Sequence, residues 1–339
     1  MNTATGPDAP DSAPCVDVSV VIPVYRGAMT LPTLVEEMAA LTRPTDSPDG
    51  NSFRVRELVL VWDHGPDESD RVIAELVATY DWVRAVWLSR NFGQLPATVA
   101  GLAATTSEWV VTMDEDGQHD PRDIGRLVDT ALREGVDLVY ANPTNLPPHS
   151  AVRNLGSRLA KGVVLRALVG TTPTPFHSFR LLRGEHARAV AAYCGPGVFL
   201  DIALTWVVGR SMQCPVTMRS EGRAATSYNM RRLVSHFWRL VLSSGNRPLR
   251  VMSAVGVATA VLGLLLAVVL IVQRLFGGVD VQGWTSVIVA VLVLGGLILT
   301  SLGVIAEYVG LAASMSMGRP LFVAVSAPER SRREQAQRA

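Results

Sequence analysis

Two long runs without a charged residue, Val251–Val272 (22 residues) and Trp284–Ala306 (23 residues), constrain this 339-residue chain more than any other feature. As a helix, either run would be roughly 33 Å long, enough to cross a hydrocarbon core of about 30 Å. A buried helical hairpin of a soluble protein is the alternative, and such length without a charge disfavours it. The connector, Gln273 to Gly283, carries only Arg274 and Asp280. The outer flanks carry Arg247 and Arg250 on one side and Arg319, Arg330, Arg332 and Arg333 on the other. An excess of arginine marks the cytosolic side of a span. The expectation is therefore an integral membrane protein with a two-span unit over 250–310 and a basic cytosolic tail over 311–339. If the source is bacterial, the membrane is the plasma membrane.

The N-terminal stretch Met1 to Asp17 is rich in Pro, Ser, Asp and Thr, without the basic and apolar regions of a signal peptide. Residues 1–16 read as a disordered tail, and the domain after them is expected in the cytosol. A net charge of +1 argues against a general nucleic-acid binder. Cys15, Cys194 and Cys214 are too few and too widely spaced for a disulfide framework or a metal knuckle, and read as ordinary thiols.

Residues 17–142 alternate strand and helix signals. Val18–Tyr25, Leu58–Trp62, Val83–Leu88, Trp109–Met113 and Leu138–Ala141 are short, apolar and rich in β-branched residues. Between them, Leu31–Leu41, Ser69–Tyr80 and Pro121–Glu134 have helical spacing, the last with proline in its first turn. This alternation predicts an α/β, Rossmann-like domain with a mostly parallel sheet and helices on both faces. Ligands bind such sheets at the carboxyl ends of the strands. Residues 143–249 are less regular. Within them, Met230–Ser243 places Leu233, Phe237, Trp238 and Leu240 on one helical face and Arg231, Arg232, His236 and Arg239 on the other. Such a helix suits either the membrane interface or the surface of the domain, and its place just before the first span favours the interface.

Three strand ends carry chemistry. Met113-Asp114-Glu115-Asp116-Gly117-Gln118-His119-Asp120-Pro121 sets two carboxylates one residue apart at a turn. A hard divalent cation such as Mg²⁺ or Mn²⁺ takes carboxylate oxygens and bridges substrate phosphates, so a nucleotide diphosphate could complete its shell. Acidic turns are common, and the position after a strand is what gives this one weight. Asp63, directly after Trp62, could accept hydrogen bonds from a base or a ribose; a capping or turn role is the alternative. In Leu88-Ser89-Arg90-Asn91-Phe92-Gly93-Gln94, Arg90 could approach phosphates and Gly93 permits a tight turn, while a structural loop arginine is the alternative.

Val20-Val21-Ile22-Pro23-Val24-Tyr25, then Asp63, then Arg90 to Gln94, then Asp114 to Pro121, in this order and spacing, resemble the family 2 glycosyltransferases of the GT-A fold. The two C-terminal runs, with Ile305-Ala306-Glu307-Tyr308-Val309-Gly310 and Arg319-Pro320, make the chain similar to the polyisoprenyl-phosphate glycosyltransferases, over about residues 17–323. That resemblance implies a GT-A catalytic domain over 17–229, an interfacial amphipathic helix and linker over 230–249, and two transmembrane helices. It implies a cell-envelope glycan enzyme that moves a sugar from a nucleotide-diphosphate sugar to a polyisoprenyl (undecaprenyl) phosphate in contact with membrane lipid. A homo-oligomer is a further implication. Carried over by residue, Asp114, Asp116 and Gln118 form the metal site. Pro23, Tyr25, Asp63, Arg90, Gln94, Asp114 and Tyr228 contact substrate, and Arg219 and Arg223 with Tyr228 match the phosphate-binding stretch.

The chain departs from the family pattern in three places. Trp62-Asp63 replaces paired aspartates, Ala224-Ala225-Thr226-Ser227-Tyr228 lacks the usual lysine, and Pro175-Phe176-His177-Ser178-Phe179-Arg180 lacks an aspartate before its Phe-Arg pair. The last loss leaves no obvious carboxylate base. A phosphate acceptor needs none, because its second pKa near 6 leaves it largely anionic at neutral pH. It needs cations to hold it in line, for which Arg180, Arg219 and Arg223 are candidates, with Asp116 on the metal side. A structural ion pair is the alternative for Arg180. His119 and His177 read as capping or surface residues, and Glu307 as an interfacial partner of an arginine. Two other functions fit less well. A processive polysaccharide synthase needs more spans and a Gln-x-x-Arg-Trp motif, absent here. A non-enzymatic membrane scaffold would not need Asp63, Asp114 and Asp116.

Overall fold

The β-branched run Val16–Val24 forms β1, the central strand, with every residue from Val18 to Val24 buried. The computed structural model describes residues 15–145, 176–219, 247–276 and 283–328. Around β1, the described residues form a nine-stranded sheet. β2 is Thr45–Asp46, β3 Ser52–Trp62, β4 Val83–Leu88, β5 Trp109–Thr112, β6 Leu138–Pro143, β7 Arg180–Arg183, β8 Ser211–Val216 and β9 Ala324–Val325. Along the sheet the order is β8-β6-β7-β5-β1-β3-β4-β9, with β2 paired to β3. β5, β1, β3 and β4 run parallel, so their carboxyl ends open on one edge. β7 runs antiparallel between β5 and β6, so residues before it arrive at that same edge.

Helices α1 (Leu31–Ala39), α2 (Ser69–Thr79) and α4 (Asp123–Glu134) cover one face, and α3 (Gln94–Ala104) and α5 (Gly184–Tyr193) the other. α4 buries Ile124, Leu127, Val128 and Ala131, spaced three and four apart, and stops where Gly135 takes a left-handed φ of 58°. α3 is absent from the sequence reading. Its buried residues, Ala97 to Leu102, run continuously and so carry no helical stripe. Gly101 lets it lie on the sheet, since a Cβ there would meet Val21 Cγ1 at 2.3 Å.

α6 (Leu200–Val207) follows α5. Beyond β8 come α7 (Arg247–Phe276) and α8 (Trp284–Ser316), both long and apolar enough to cross a membrane. None of Leu249–Leu266 and only 6% of Val293–Ser316 is buried, unlike the core helices of a soluble hairpin. The expected boundary at 310 falls inside α8, which continues for six more residues. The described part of the segment expected as a tail returns to the sheet. There β9 pairs antiparallel with the edge of β4, and the Ser89 N–H donates to the Val323 carbonyl at 2.9 Å. Arg223, Tyr228, the Met230–Ser243 helix and the arginines from 330 onward lie outside the described residues.

Candidate active site

The loop after β5 assigns different tasks to its three consecutive acids. Glu115 turns back toward β1, where its carboxylate accepts the N–H of Tyr25 at 2.8 Å and of Arg26 at 3.0 Å. Asp114 points the other way. Its Oδ1 accepts Gln94 Nε2 at 2.6 Å and its Oδ2 accepts Ser178 Oγ at 2.5 Å. Asp116 Oδ1 accepts the Gln118 N–H at 3.1 Å across Gly117, whose φ is 74°. Beneath them, buried His119 accepts the Asp114 N–H on Nδ1 at 3.1 Å and stacks on Phe179, with ring centroids 4.9 Å apart. Burial holds the His119 imidazole below the usual histidine range, against the pull of Asp114 and Asp116. His177, edge-on to it, is pushed down to about 4, first by burial and then by His119. His119 is thus a buried support of the loop rather than a surface residue.

Asp63 is 3% exposed. Its two oxygens accept the N–H groups of Phe92 at 2.7 Å and Gly93 at 2.8 Å. Burial raises its pKa, and these two bonds pull the other way. Gly93 sits at φ 99° and ψ 163°, a conformation open essentially to glycine alone. Asp63 therefore shapes the loop that presents Arg90 and Gln94. The Arg90 guanidinium lies over the Phe92 ring at 4.2 Å.

Two of the arginines expected at a phosphate, Arg180 and Arg219, are already engaged. Arg180 is 6% exposed, ion-paired with Asp201, and donates from Nε to Thr112 Oγ1 at 3.1 Å. Tyr140 Oη completes the set, donating to Asp201 at 3.0 Å. Burial alone would depress the guanidinium, but Asp201 beside it raises its pKa, so it stays charged. Sequence reasoning missed Asp201, which lies 21 residues downstream with no motif around it. Arg219 pairs with Glu37 at 2.7 Å and Asp120 at 3.0 Å, and its N–H donates to the Gln118 carbonyl at 2.9 Å. It braces the acidic loop against α1 from behind.

Asp114, Gln94, Arg90, Tyr25, Pro23 and Arg180 line one cleft of about 1590 Å³. Its far walls are the Pro196–Asp201 segment and the end of α8, where Ala306, Glu307, Gly310, Leu311 and Ser314 recur at helical spacing, followed by Arg319 to Leu321. Asp63, Asp116, Gln118 and Arg219 are not part of that lining. Among the described residues, no three His, Cys, Asp or Glu side chains converge as a metal cage. Asp114, in the lining, and Asp116, two residues further along the same loop, offer hard oxygen donors. That chemistry fits Mg²⁺ or Mn²⁺, which keep several ligand positions for water and substrate phosphate.

Residues 19–189, half of the chain, match the model of glycosyl transferase family 2. The chain belongs to that family. It is a glycosyltransferase, with the GT-A type of mixed, mostly parallel sheet. Residues 247–311 match a second model, the GtrB C-terminal hairpin. The undecaprenyl-phosphate 4-deoxy-4-formamido-L-arabinose transferase of Pseudomonas paraeruginosa is 33% identical to this family 2 enzyme, over 90% of this chain and 88% of its own. The protein of that name from Pectobacterium carotovorum is 29% identical over 90% and 92%. The solved structure of Mycobacterium tuberculosis glucosyl-3-phosphoglycerate synthase, in complex with Mn²⁺, UDP and glucosyl-3-phosphoglycerate, aligns with a TM-score of 0.44 at 19% identity. That alignment spans 68% of this chain and 80% of the synthase.

Proposed function

We propose that this glycosyltransferase moves a sugar from a nucleotide-diphosphate sugar to a polyisoprenyl phosphate, of the undecaprenyl type, at the cytosolic face of a membrane crossed by α7 and α8. One observation carries the reading: a single cleft is walled by the Asp114 loop on one side and by the end of an apolar, membrane-length helix on the other. α8 is about 50 Å long, against roughly 40–45 Å for a bilayer with its headgroups. Its last turns would then lie at headgroup depth, where a lipid phosphate can meet a soluble donor. The curated relatives named for undecaprenyl-phosphate transfer match both the catalytic domain and the hairpin.

In this reading, Asp114 and Asp116 would hold a divalent cation, which would supply positive charge against the leaving diphosphate. Gln94 and Ser178 fix the Asp114 carboxylate. Tyr25 and Pro23 border the donor end of the cleft, and Arg90 faces the donor phosphates. A phosphate oxygen of the acceptor forms its bond to the anomeric carbon as the bond from that carbon to the nucleoside diphosphate breaks. Configuration inverts in this single displacement. No protein base is needed, because the nucleophile is already an anion. The chain's contribution is alignment and exclusion of water, the latter from the apolar wall of α8.

The test is full-length protein in membranes with undecaprenyl phosphate and Mn²⁺, screened against radiolabelled UDP-, GDP- and dTDP-sugars. The expected product is a chloroform-extractable labelled lipid from at least one donor, with β to α or α to β inversion at the anomeric carbon. Folded protein that yields no labelled lipid from any donor overturns the proposal.

A further inference from the structure

Among the described residues, the side chains that can bring a fixed positive charge to phosphate in this cleft are arginines. Three arginines among the described residues line the cleft: Arg90, Arg180 and Arg319. Arg180 is neutralised by Asp201 and anchored on Thr112. Arg90 stands on the loop that carries Gln94, beside Asp114, at the donor end. Arg319 stands at the opposite wall, exposed, and makes no ion pair among the described residues. Glu307 shares that wall but lies more than two helical turns back along α8, too far to neutralise it.

Arg319 is also held in place. α8 ends in a tight cap, with the Met317 N–H on the Ala313 carbonyl at 2.9 Å and the Gly318 N–H on Met315 at 3.0 Å. Gly318 then turns left-handed at φ 65°, and the Arg319 N–H reaches the Ser314 carbonyl at 3.3 Å. Pro320 prevents the helix from continuing. Four residues further on, β9 is fixed to the edge of β4, and Leu321 and Phe322 pack on the core between. The backbone of Arg319 is therefore pinned from both sides, at the membrane end of the cleft. The fixed backbone sets where the Arg319 side chain starts, and its exposed guanidinium in the cleft lining is left to pair bidentately with a phosphate monoester.

We propose that Arg319 binds the phosphate of the lipid acceptor, a task for which the sequence pattern offers Arg180, Arg219 and Arg223, the first two of which are engaged elsewhere. This rests on the acceptor being a polyprenyl phosphate, as argued above. The experiment titrates full-length protein in detergent micelles with undecaprenyl phosphate, undecaprenol, phosphatidylglycerol and inorganic phosphate, reading binding by native mass spectrometry. Binding of Mn²⁺ with nucleoside diphosphate, together with the melting curve, reports on the fold and the donor site. Wild type should prefer undecaprenyl phosphate over undecaprenol and phosphatidylglycerol by about tenfold or more. Arg319→Gln should lose that preference with donor-side binding intact, and Arg319→Lys should keep most of it. In turnover, Arg319→Gln should raise the acceptor KM and leave the donor KM unchanged. If Arg319→Gln keeps the wild-type preference, the assignment to Arg319 is overturned and the proposed reaction stands. Equal wild-type binding of phosphatidylglycerol makes Arg319 a general headgroup contact and also overturns it. A wild type that does not distinguish undecaprenyl phosphate from undecaprenol removes the proposed acceptor, and this inference with it. Should Arg319→Gln fail to fold, Arg319→Met and Arg319→Lys carry the same comparison.

Discussion

Asp63 Oδ2 accepts the Gly93 N–H at 2.8 Å, joining the end of β3 to a loop whose glycine no other residue can readily replace. The partner oxygen takes the Phe92 N–H, so one buried carboxylate holds two adjacent amides of the loop. Asp63→Asn keeps the size but turns an amide NH₂ toward one of those donors. The loop should lose its shape, and Arg90 and Gln94 their aim. The expected effect is a drop in kcat/KM of about 100-fold, of the order seen for an ångström-scale misplacement of reacting groups. A loop clamp predicts the same loss for every nucleotide the wild type accepts. A loss confined to one base would show instead that Asp63 reads the nucleotide.

The ion pair of Arg180 with Asp201 makes a separate prediction. Removing one member strands the other in a buried site and costs about 3–5 kcal/mol. Arg180→Leu and Asp201→Asn should each lower the melting temperature sharply. The double variant Arg180→Leu with Asp201→Leu should recover much of that loss, because no unpaired charge remains. Activity then tells the two roles of Arg180 apart. If its task is structural, activity returns with stability. A double variant that is stable but does not bind the acceptor would place Arg180 at the phosphate after all.

Glu57 sets an acid limit on the domain. It is 6% exposed, with Oε1 accepting from Ser19 Oγ at 2.6 Å and the Thr106 N–H at 2.6 Å, and Oε2 from Arg84 at 2.8 Å. Burial alone would raise its pKa, but the bonds from Ser19, Thr106 and Arg84 outweigh it and hold the carboxyl below its ordinary value. A depressed folded-state pKa means stability fully present above the unfolded value of about 4.3, and lost as pH falls through the lower, folded one. Glu57→Gln should therefore melt about 5 °C below wild type at pH 7, with the gap closing below pH 4. A gap that stays constant with pH would show that packing, not charge, sets the contribution of Glu57.

Much of this could be read from the residues, and the misses have physical causes. The parallel core was legible because β1, β3, β4 and β5 contain short apolar stretches with β-branched residues and α1, α2 and α4 have clear apolar stripes. α3 was not, since burial on all sides erases the periodicity that marks a surface helix. β7 and β9 are short strands of four and two residues whose pairing depends on distant partners, and no local signal reveals that. At the site, Asp114 lines the cleft, as its position directly after a strand suggested. The tie of Arg180 to Asp201 was not legible, because ion-pair partners leave no mark on spacing. The same holds for His119, a lone histidine whose place under the loop comes from stacking on Phe179.

The three neighbouring acids after β5 allow the metal-site assignment to be tested within one tripeptide. Asp114 lines the cleft, and Asp116 shapes the next turn of the loop. Glu115 faces away, and its oxygens take the Tyr25 and Arg26 N–H groups. If Asp114 and Asp116 hold the cation, Asp114→Asn and Asp116→Ala should each abolish the gain in nucleoside-diphosphate affinity that Mn²⁺ gives the wild type, as read by calorimetry. The melting temperature without metal should change little, since Asp114 and Asp116 keep intermediate exposure and cap no core element. Glu115→Gln should behave in the opposite way. It replaces one acceptor of two backbone donors with an amide, and should lower stability by about 1–3 kcal/mol while Mn²⁺ still strengthens nucleotide binding. Chelation with EDTA should reproduce the Asp116→Ala phenotype in wild type, and have no further effect on the variant. Equal loss of Mn²⁺ dependence in all three variants would mean that the loop acts only as a folded unit, and that Asp114 and Asp116 are not the cation's own ligands.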